Sequence, residues 1–533
     1  MSASASPVTV LPRKRRNVEL LLVLFASALG LAGYVQVDLN VLGHLPQQLT
    51  LIAVIGFVLP VLAHLAIRWR LPYADPVILP CATLLNGLGL VMIHRIDLIN
   101  EPPTHGATQQ LIWTGMGIAL LIIVAIVVRD HRPLQGFPYT LGLIGLVLLL
   151  LPLVPGLGRG NIGGAQIWIQ VGPFSFQPAE VAKVLLAVAF ASYLVEKRDV
   201  LALAGWRVLG IDLPRARDLG PILLVWGATL LVLVFQNDLG TSLLFFGLFV
   251  IMLYVSTQRP GWAIIGVLLF AVGAVFGYLT RGHVRVRVTA WLHPFDNVED
   301  SWQLIQAQFG LAWGGLLGRG LGEGRPGLTP LARSDFIATS IGEELGMAGL
   351  FAVILIYGVV VSRGLRIALA CREPFGKLLA AGLSFSFALQ VFLIIGGVTR
   401  LLPLTGLTTP FMSQGGSSLI ANWVVMGLLL LISHQVRKPV VTTDEVLSTA
   451  GSRDRLIVEK PAGDRHGADR VDDEATQAIP TRDHDHDRLE DTLHGTDADH
   501  DRQGPDEADE PTQIHPAPQR VSGSTDHRPG RRS

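Results

Sequence analysis

Asp296, Glu299 and Asp300 fall within five positions of one another in the stretch WLHPFDNVEDSWQ, shortly after Arg281, Arg285 and Arg287. A carboxylate so placed can take a proton from a hydroxyl, while neighbouring guanidinium groups steady an anion. Arg suits phosphate oxygens because its planar fork bonds two of them at once. Other groups able to do chemistry are spread along the chain. Glu180 and Lys183 in FQPAEVAK are three apart, so a helix would put them on one face. Asp238 follows Gln236 and Asn237 in FQNDLGTS. Asp335, Glu343 and Glu344 lie in SDFIATSIGEELG, and Arg400 precedes a Pro- and Gly-rich run, LLPLTGLTTPFMSQGGSSLIANW, that includes Ser417 and Ser418.

The elements that must hold these groups are membrane helices. Half of the 533 residues are hydrophobic and 16% are charged, and long apolar runs such as LGLIGLVLLLLPLVPG mark an all-α polytopic integral membrane protein. A crossing needs about 20 apolar residues, and about twelve segments qualify. They are Val18–Val37, Leu49–Ile67, Asp75–Ile93, Leu111–Val128, Tyr139–Val154, Gln177–Val195, Asp218–Phe235, Thr241–Ser256, Trp262–Leu279, Ser340–Ser362, Leu378–Val398 and Ser417–Ser433. The eighth is short, as a tilted or partly buried helix would be. Residues 1–17 form a basic amino-terminal segment, and 441–533 read as a disordered tail, poor in large apolar residues. Only Cys81 and Cys371 are present, so no disulfide framework follows.

Lys and Arg in short loops set the orientation. They crowd the amino end (Arg13 to Arg16) and the alternate loops at Arg68 and Arg70, Arg129 and Arg132, Lys197 and Arg198, Arg259, and Arg363 to Lys377. The opposite loops carry little beyond Arg95, Arg159 and Arg400. Both termini are therefore expected in the cytoplasm. The long loop 280–339, between spans 9 and 10, is expected outside despite its six arginines, since long loops escape the rule. The polar groups singled out above then gather at the outer face.

Each of these motifs also has a plainer reading. Glu180 and Lys183 could be a structural ion pair. Asp238 could cap the next helix through backbone N–H groups. Glu343 and Glu344 could be interfacial. GGLLGRGLGEG could be a phosphate cradle or merely a Gly-rich loop. Pro and Gly after Arg400 argue against one regular helix there, and such backbone is tolerated at membrane depth where it lines a cavity.

Taken in order, QPAEVAK, NDLGTSLL, WQLIQAQFGLAWGGLLGRGLGEG, SDFIATSIGEELG and the run after Arg400 resemble the SEDS (shape, elongation, division and sporulation) family of RodA/FtsW type, its rod-elongation branch most of all. The resemblance covers about residues 110 to 435. It implies a SEDS-type bundle with a ten-helix core. The two extra spans at the amino end leave residues 18–109 as an additional hairpin plus third span, before a catalytic core at 110–440. It implies a peptidoglycan glycosyltransferase that polymerises lipid II at the outer face of the cytoplasmic membrane during elongation and releases undecaprenyl pyrophosphate. Lipid II, a class B penicillin-binding protein, other elongation proteins and membrane lipid are the implied partners. Nucleic acid is not among them.

The family pattern of Pro, a nearby Asp and then Gly-Tyr-Gln makes Asp296 the implied catalytic carboxylate. Here Ser301-Trp302-Gln303 stands for Gly-Tyr-Gln and the segment is one residue short, so Asp300 is kept as a second choice. Lys183, Glu180, Arg281, Arg285, Glu343, Arg400, Ser417 and Ser418 are the expected substrate and pyrophosphate contacts. A divalent cation, Mg or Mn, could share the pyrophosphate charge, with Asp296 or Glu343 near it; no ligand spacing requires one. Three other functions stay open. One is a lipid II flippase, one a division-specific FtsW-type polymerase, and one a scaffold for the penicillin-binding partner. A flippase should show paired halves or broken helices near the midplane, and no internal repeat is evident.

Overall fold

A computed structural model describes residues 15–99, 104–160, 165–172, 174–198, 206–208, 211–213 and 216–439. All belong to the compact unit Met1–Ser448; the acidic tail read from the sequence lies outside the described residues. The described chain holds fifteen α-helices and two short antiparallel hairpins. The helices are α1 (Arg16–Leu42), α2 (Leu49–Arg70), α3 (Ile78–Ile99), α4 (Gly106–Val127), α5 (Pro138–Leu150), α6 (Pro178–Glu196), α7 (Ala216–Phe235) and α8 (Leu239–Thr257). They continue with α9 (Pro260–Thr280), α10 (Gly282–Leu292), α11 (Val298–Gly314), α12 (Ile337–Glu344), α13 (Gly346–Ala370), α14 (Pro374–Val398) and α15 (Gly416–Arg437).

Among the described residues, ten helices are long and apolar enough to cross a membrane. Two shorter apolar segments, Pro138–Leu153 and Leu223–Phe235, stand where the fifth and seventh spans were expected. The eighth span is not short: α8 has 19 residues. Proline opens α5, α6, α9 and α14 at positions where its missing N–H costs nothing. Asp238 caps α8 by accepting from the Thr241 N–H at 2.9 Å, and Glu373 caps α14 through the N–H groups of Phe375 and Gly376. The plainer reading of Asp238 therefore holds for one of its oxygens.

Helices α6, α14 and α15 are buried on nearly every side and form the centre. Helix α9 buries only Gly266 and faces outward with Val267, Leu268, Val272 and Phe276. A helix apolar all round is stable in this position because lipid replaces protein as its neighbour.

Helix ends gather at two faces. At one, Glu19 takes Arg16 and His64, Asp75 takes Arg437 and Arg363, and His131 meets Glu373. At the other, His94 meets Asp38, Arg95 meets Glu344, and Arg333 meets Asp97. These pairs put the starts of α1, α3 and α14 with the ends of α2, α13 and α15. That is the alternation that successive crossings require.

The tenth span is not one helix. Expected as Ser340–Ser362, it breaks at Leu345, and α12 ends at Glu344 before α13 starts at Gly346 with φ +71°. The Gly-rich loop causes the break. Its Arg319 and Gly320 N–H groups donate to the carbonyls of Glu343 and Glu344, while Met347 and Ala348 donate back to Gly315 and Leu316. A methyl at Gly346 would run into the backbone of Leu316 to Gly318, so only glycine fits at that crossing.

Candidate functional site

The segment Thr399–Gly415, without helix or strand, threads past several of the polar groups named from the sequence. At its start, Arg400 donates through Nε and Nη2 to the Trp291 carbonyl at 3.3 and 2.9 Å, and the Trp291 indole N–H returns a bond to the Arg400 carbonyl at 2.9 Å. Four residues on, Arg287 Nη1 donates to the Leu404 carbonyl at 2.9 Å. The Thr408 hydroxyl then lies 3.0 Å from Ser418 Oγ and 3.5 Å from Glu180 Oε1. Finally the Gln414 N–H donates to the Arg333 carbonyl at 2.8 Å. Proline and the left-handed φ of Arg400 and Gly406 keep this stretch out of a helix.

The structure brings Glu180, Lys183, Ser417 and Ser418 together. Lys183 Nζ donates to Glu180 Oε2 at 2.8 Å and to Gln390 Oε1 at 2.9 Å, with both charged side chains buried. Gln390 in turn donates to the Thr408 carbonyl, and Ser417 Oγ accepts from the Gln177 N–H. Glu180 and Lys183 are thus a closed pair, as the structural reading of that motif had it. Gln390 and Thr408 were missed from sequence. A lone Gln in an apolar helix was the available signal.

Asp296 is not on the thread itself. It is exposed, in the turn between α10 and α11, where its N–H donates to the His293 carbonyl. Asp300 is also exposed, and its Oδ2 accepts from Asn297 Nδ2 at 2.7 Å in the α11 cap. That cap leaves Asp300 committed to the helix start. Arg281 and Arg285 flank the junction of α9 and α10. Arg285 donates to the Leu279 carbonyl, with its guanidinium over the Tyr278 ring. Arg400 is spent on Trp291, which stabilises the Asp296 loop instead of leaving a free cation.

Glu343 and Glu344 are buried and consumed by the loop that precedes them. Glu343 Oε1 accepts from the Arg325 N–H, and Glu344 accepts from Arg95 Nε at 2.8 Å and the Gly322 N–H at 3.1 Å. The phosphate-cradle reading of the Gly-rich loop fails here, because its N–H groups already serve these glutamates. Among the described residues no group of three or more His, Cys, Asp or Glu is placed to hold a metal ion. Asp296 is exposed in the turn between α10 and α11 while Glu343 is buried against the Gly-rich loop, so the two carboxylates considered for a divalent cation stand in separate settings.

A third group, unforeseen as a unit, sets Arg287 and Asp335 beside Gly406, with Asp238 close enough to Arg287 to interact with its charge. Burial pushes the Asp335 carboxyl up to about 6, opposed by Arg287. Burial likewise lowers the Arg287 guanidinium, opposed by the two aspartates. The three residues come from stretches far apart in sequence, so only folding juxtaposes them.

Bundle and thread define a polytopic helical membrane protein with a polar site at one face. The chain belongs to the FtsW, RodA and SpoVE family, described as cell cycle protein, whose sequence model matches residues 76–438. It is 46% identical over 462 residues to the peptidoglycan glycosyltransferase RodA of Mycobacterium tuberculosis, covering 85% of this chain and 98% of that one. The RodA of Mycobacterium leprae is 47% identical, at 86% and 100% coverage. A probable peptidoglycan glycosyltransferase FtsW of Geobacter sulfurreducens is 32% identical, at 68% and 96%. Among solved structures, one described as a peptidoglycan synthase complex that coordinates polymerization and crosslinking aligns with TM-score 0.55 and 26% identity, covering 69% of this chain and 99% of that one. A mutant of the Thermus thermophilus rod shape determining protein RodA aligns with TM-score 0.50 and 27% identity, at 69% and 99%.

Proposed function

We propose that this chain, a peptidoglycan glycosyltransferase of the RodA type, polymerises lipid II at the outer face of the cytoplasmic membrane with Asp296 as general base. The observation that carries the reading is the Thr399–Gly415 thread. It ties the turn bearing Asp296 to the buried Lys183 centre through Trp291, Arg287 and Thr408. Identity is higher to the RodA relatives than to the FtsW relatives, which favours elongation over division.

Chain growth joins a sugar hydroxyl of one lipid II to the anomeric carbon of another, with pyrophosphate leaving. A base must take the hydroxyl proton as the bond forms, and cations must steady the leaving group. Asp296 is exposed on a turn held from below, so it can meet a bulky saccharide. Direct attack inverts the anomeric centre, turning an α-linked donor into a β-linked glycan. Arg281 and Arg285, at the membrane end of the same loop, are the pyrophosphate cations. Lys183 and Arg400, already bonded within the protein, position the site. Lys and Arg in the short loops of the opposite face support a cytoplasmic location for that face and both termini.

A class B penicillin-binding protein is the proposed partner, by analogy with the synthase complex that aligns with this chain. The test uses purified full-length protein and lipid II in detergent, with and without that partner. Polymerisation without a second compartment excludes a pure flippase. Loss of glycan product in Asp296→Asn, with Asp300→Asn still active, supports the assignment. The reverse result moves the base to Asp300, and full activity in both variants overturns it.

A further inference from the structure

The additional amino-terminal hairpin encloses a cavity of about 590 Å³ with α3 and α4, well away from the Asp296 turn. That volume lies in the range of about 300–1,000 Å³ usual for small-molecule sites. Its walls are apolar, with Leu31, Ile52, Leu59, Leu90 and Ile112 among them. Its polar mouth, read from Tyr34, Gln48, His94, Thr104 and His105, lies in the half of the four helices nearer the face that carries Glu344. The mouth is braced: His94 Nε2 lies 2.6 Å from Asp38 and Nδ1 lies 3.0 Å from the Tyr34 hydroxyl, with the two rings stacked.

The depth of this cavity is informative. On α4 the lining runs from His105 to Ile118, about 20 Å at 1.5 Å per residue. On α2 it stops at Pro60, short of the half facing the basic loops. The cavity therefore spans one leaflet plus its interface and ends near mid-membrane, given a hydrocarbon core of about 30 Å. Val54, Val58, Leu62 and Leu65 on α2 are exposed, so the hairpin itself stands in lipid.

The geometry points to a binding site for one bilayer phospholipid of the leaflet on the Asp296 side, its acyl chain in the apolar shaft and its head at the Tyr34–His94 mouth. A polar mouth, apolar walls and single-leaflet depth match such a molecule in polarity and length. The lipid would fasten the hairpin to the core without touching the transferase site.

Gly56 offers a direct test. It lines the cavity, and a Cβ added there meets no protein atom within 4 Å. The full chain is placed in nanodiscs of phosphatidylglycerol and phosphatidylethanolamine containing a phospholipid with a photoreactive group near its chain end. Labelled peptides are mapped by mass spectrometry. Labelling of α1 to α4 lining residues is expected, and it should fall severalfold in Gly56→Phe and Ala53→Phe. It should persist in Val58→Phe, which puts the same side chain on the outward side of α2. Thermal unfolding of each variant shows that the comparison is between folded proteins. Absence of lining labels, or labels undiminished in both cavity variants, overturns the proposal. So does labelling by a photoreactive polyprenyl phosphate alone, which would make the cavity a site for the substrate's tail. Because the readout is lipid contact, a failure here leaves the glycosyltransferase reading untouched, and a failure of that reading leaves this one standing.

Discussion

Trp291 and Arg400 hold each other through both backbone and side chain: each carbonyl accepts from the other residue's side chain. Arg400 adopts φ +61° to do so, a conformation that non-glycine residues take only when neighbours enforce it. The clasp fixes the end of α10, and the turn with Asp296 begins two residues beyond that helix. Arg400→Ala should lower glycan synthesis while leaving the protein in the membrane. Trp291→Phe removes one bond and should cost about 1 kcal/mol of stability. A double-mutant cycle read by thermal unfolding should show a coupling above about 0.5 kcal/mol.

Lys183 and Glu180 carry opposite charges inside the bundle, with Gln390 as a third partner. Lys183→Met leaves a carboxylate buried without its cation, which costs about 3–5 kcal/mol. Adding Glu180→Gln should return a large part of that loss. Detergent-solubilised thermal stability measures both. Equal melting temperatures for the parent and Lys183→Met would show that the pair holds nothing together.

The Asp335 carboxyl is raised from 3.8 to about 6 by burial. A raised carboxyl binds its proton more tightly in the folded state than in the unfolded one. Stability should therefore fall as pH rises through the window from 3.8 to about 6. Asp335→Asn removes the titrating group and should flatten that part of the profile. Unfolding temperatures at several pH values between these limits, for both proteins, decide it; an unchanged slope in Asp335→Asn would assign the effect to other groups.

Gly346 faces the Gly-rich loop with φ +71°. Gly346→Ala adds about 1–2 kcal/mol of left-handed backbone strain before any clash is counted, and its methyl also meets the Gly318 N–H and the Leu316 carbonyl. Expression of this variant should drop sharply. Gly136→Ala, at an open position with nothing within 4 Å of the added carbon, should express normally.

Hydropathy alone determined the membrane helices, because an apolar run of bilayer length has few other stable environments. Family motifs marked Asp296, Glu180 and Lys183 as residues to examine, and i, i+3 spacing correctly paired the last two. Sequence could not tell that the tenth span breaks at Leu345, since the cause is a loop about thirty residues earlier whose N–H groups compete for the same carbonyls. Nor could it tell that Arg400 would be bound to Trp291, or that Arg287 and Asp335 would meet at Gly406. Local pattern reports how a segment partners with solvent or lipid. Which polar groups satisfy one another is decided by packing between distant segments, and that information exists only once the chain has folded.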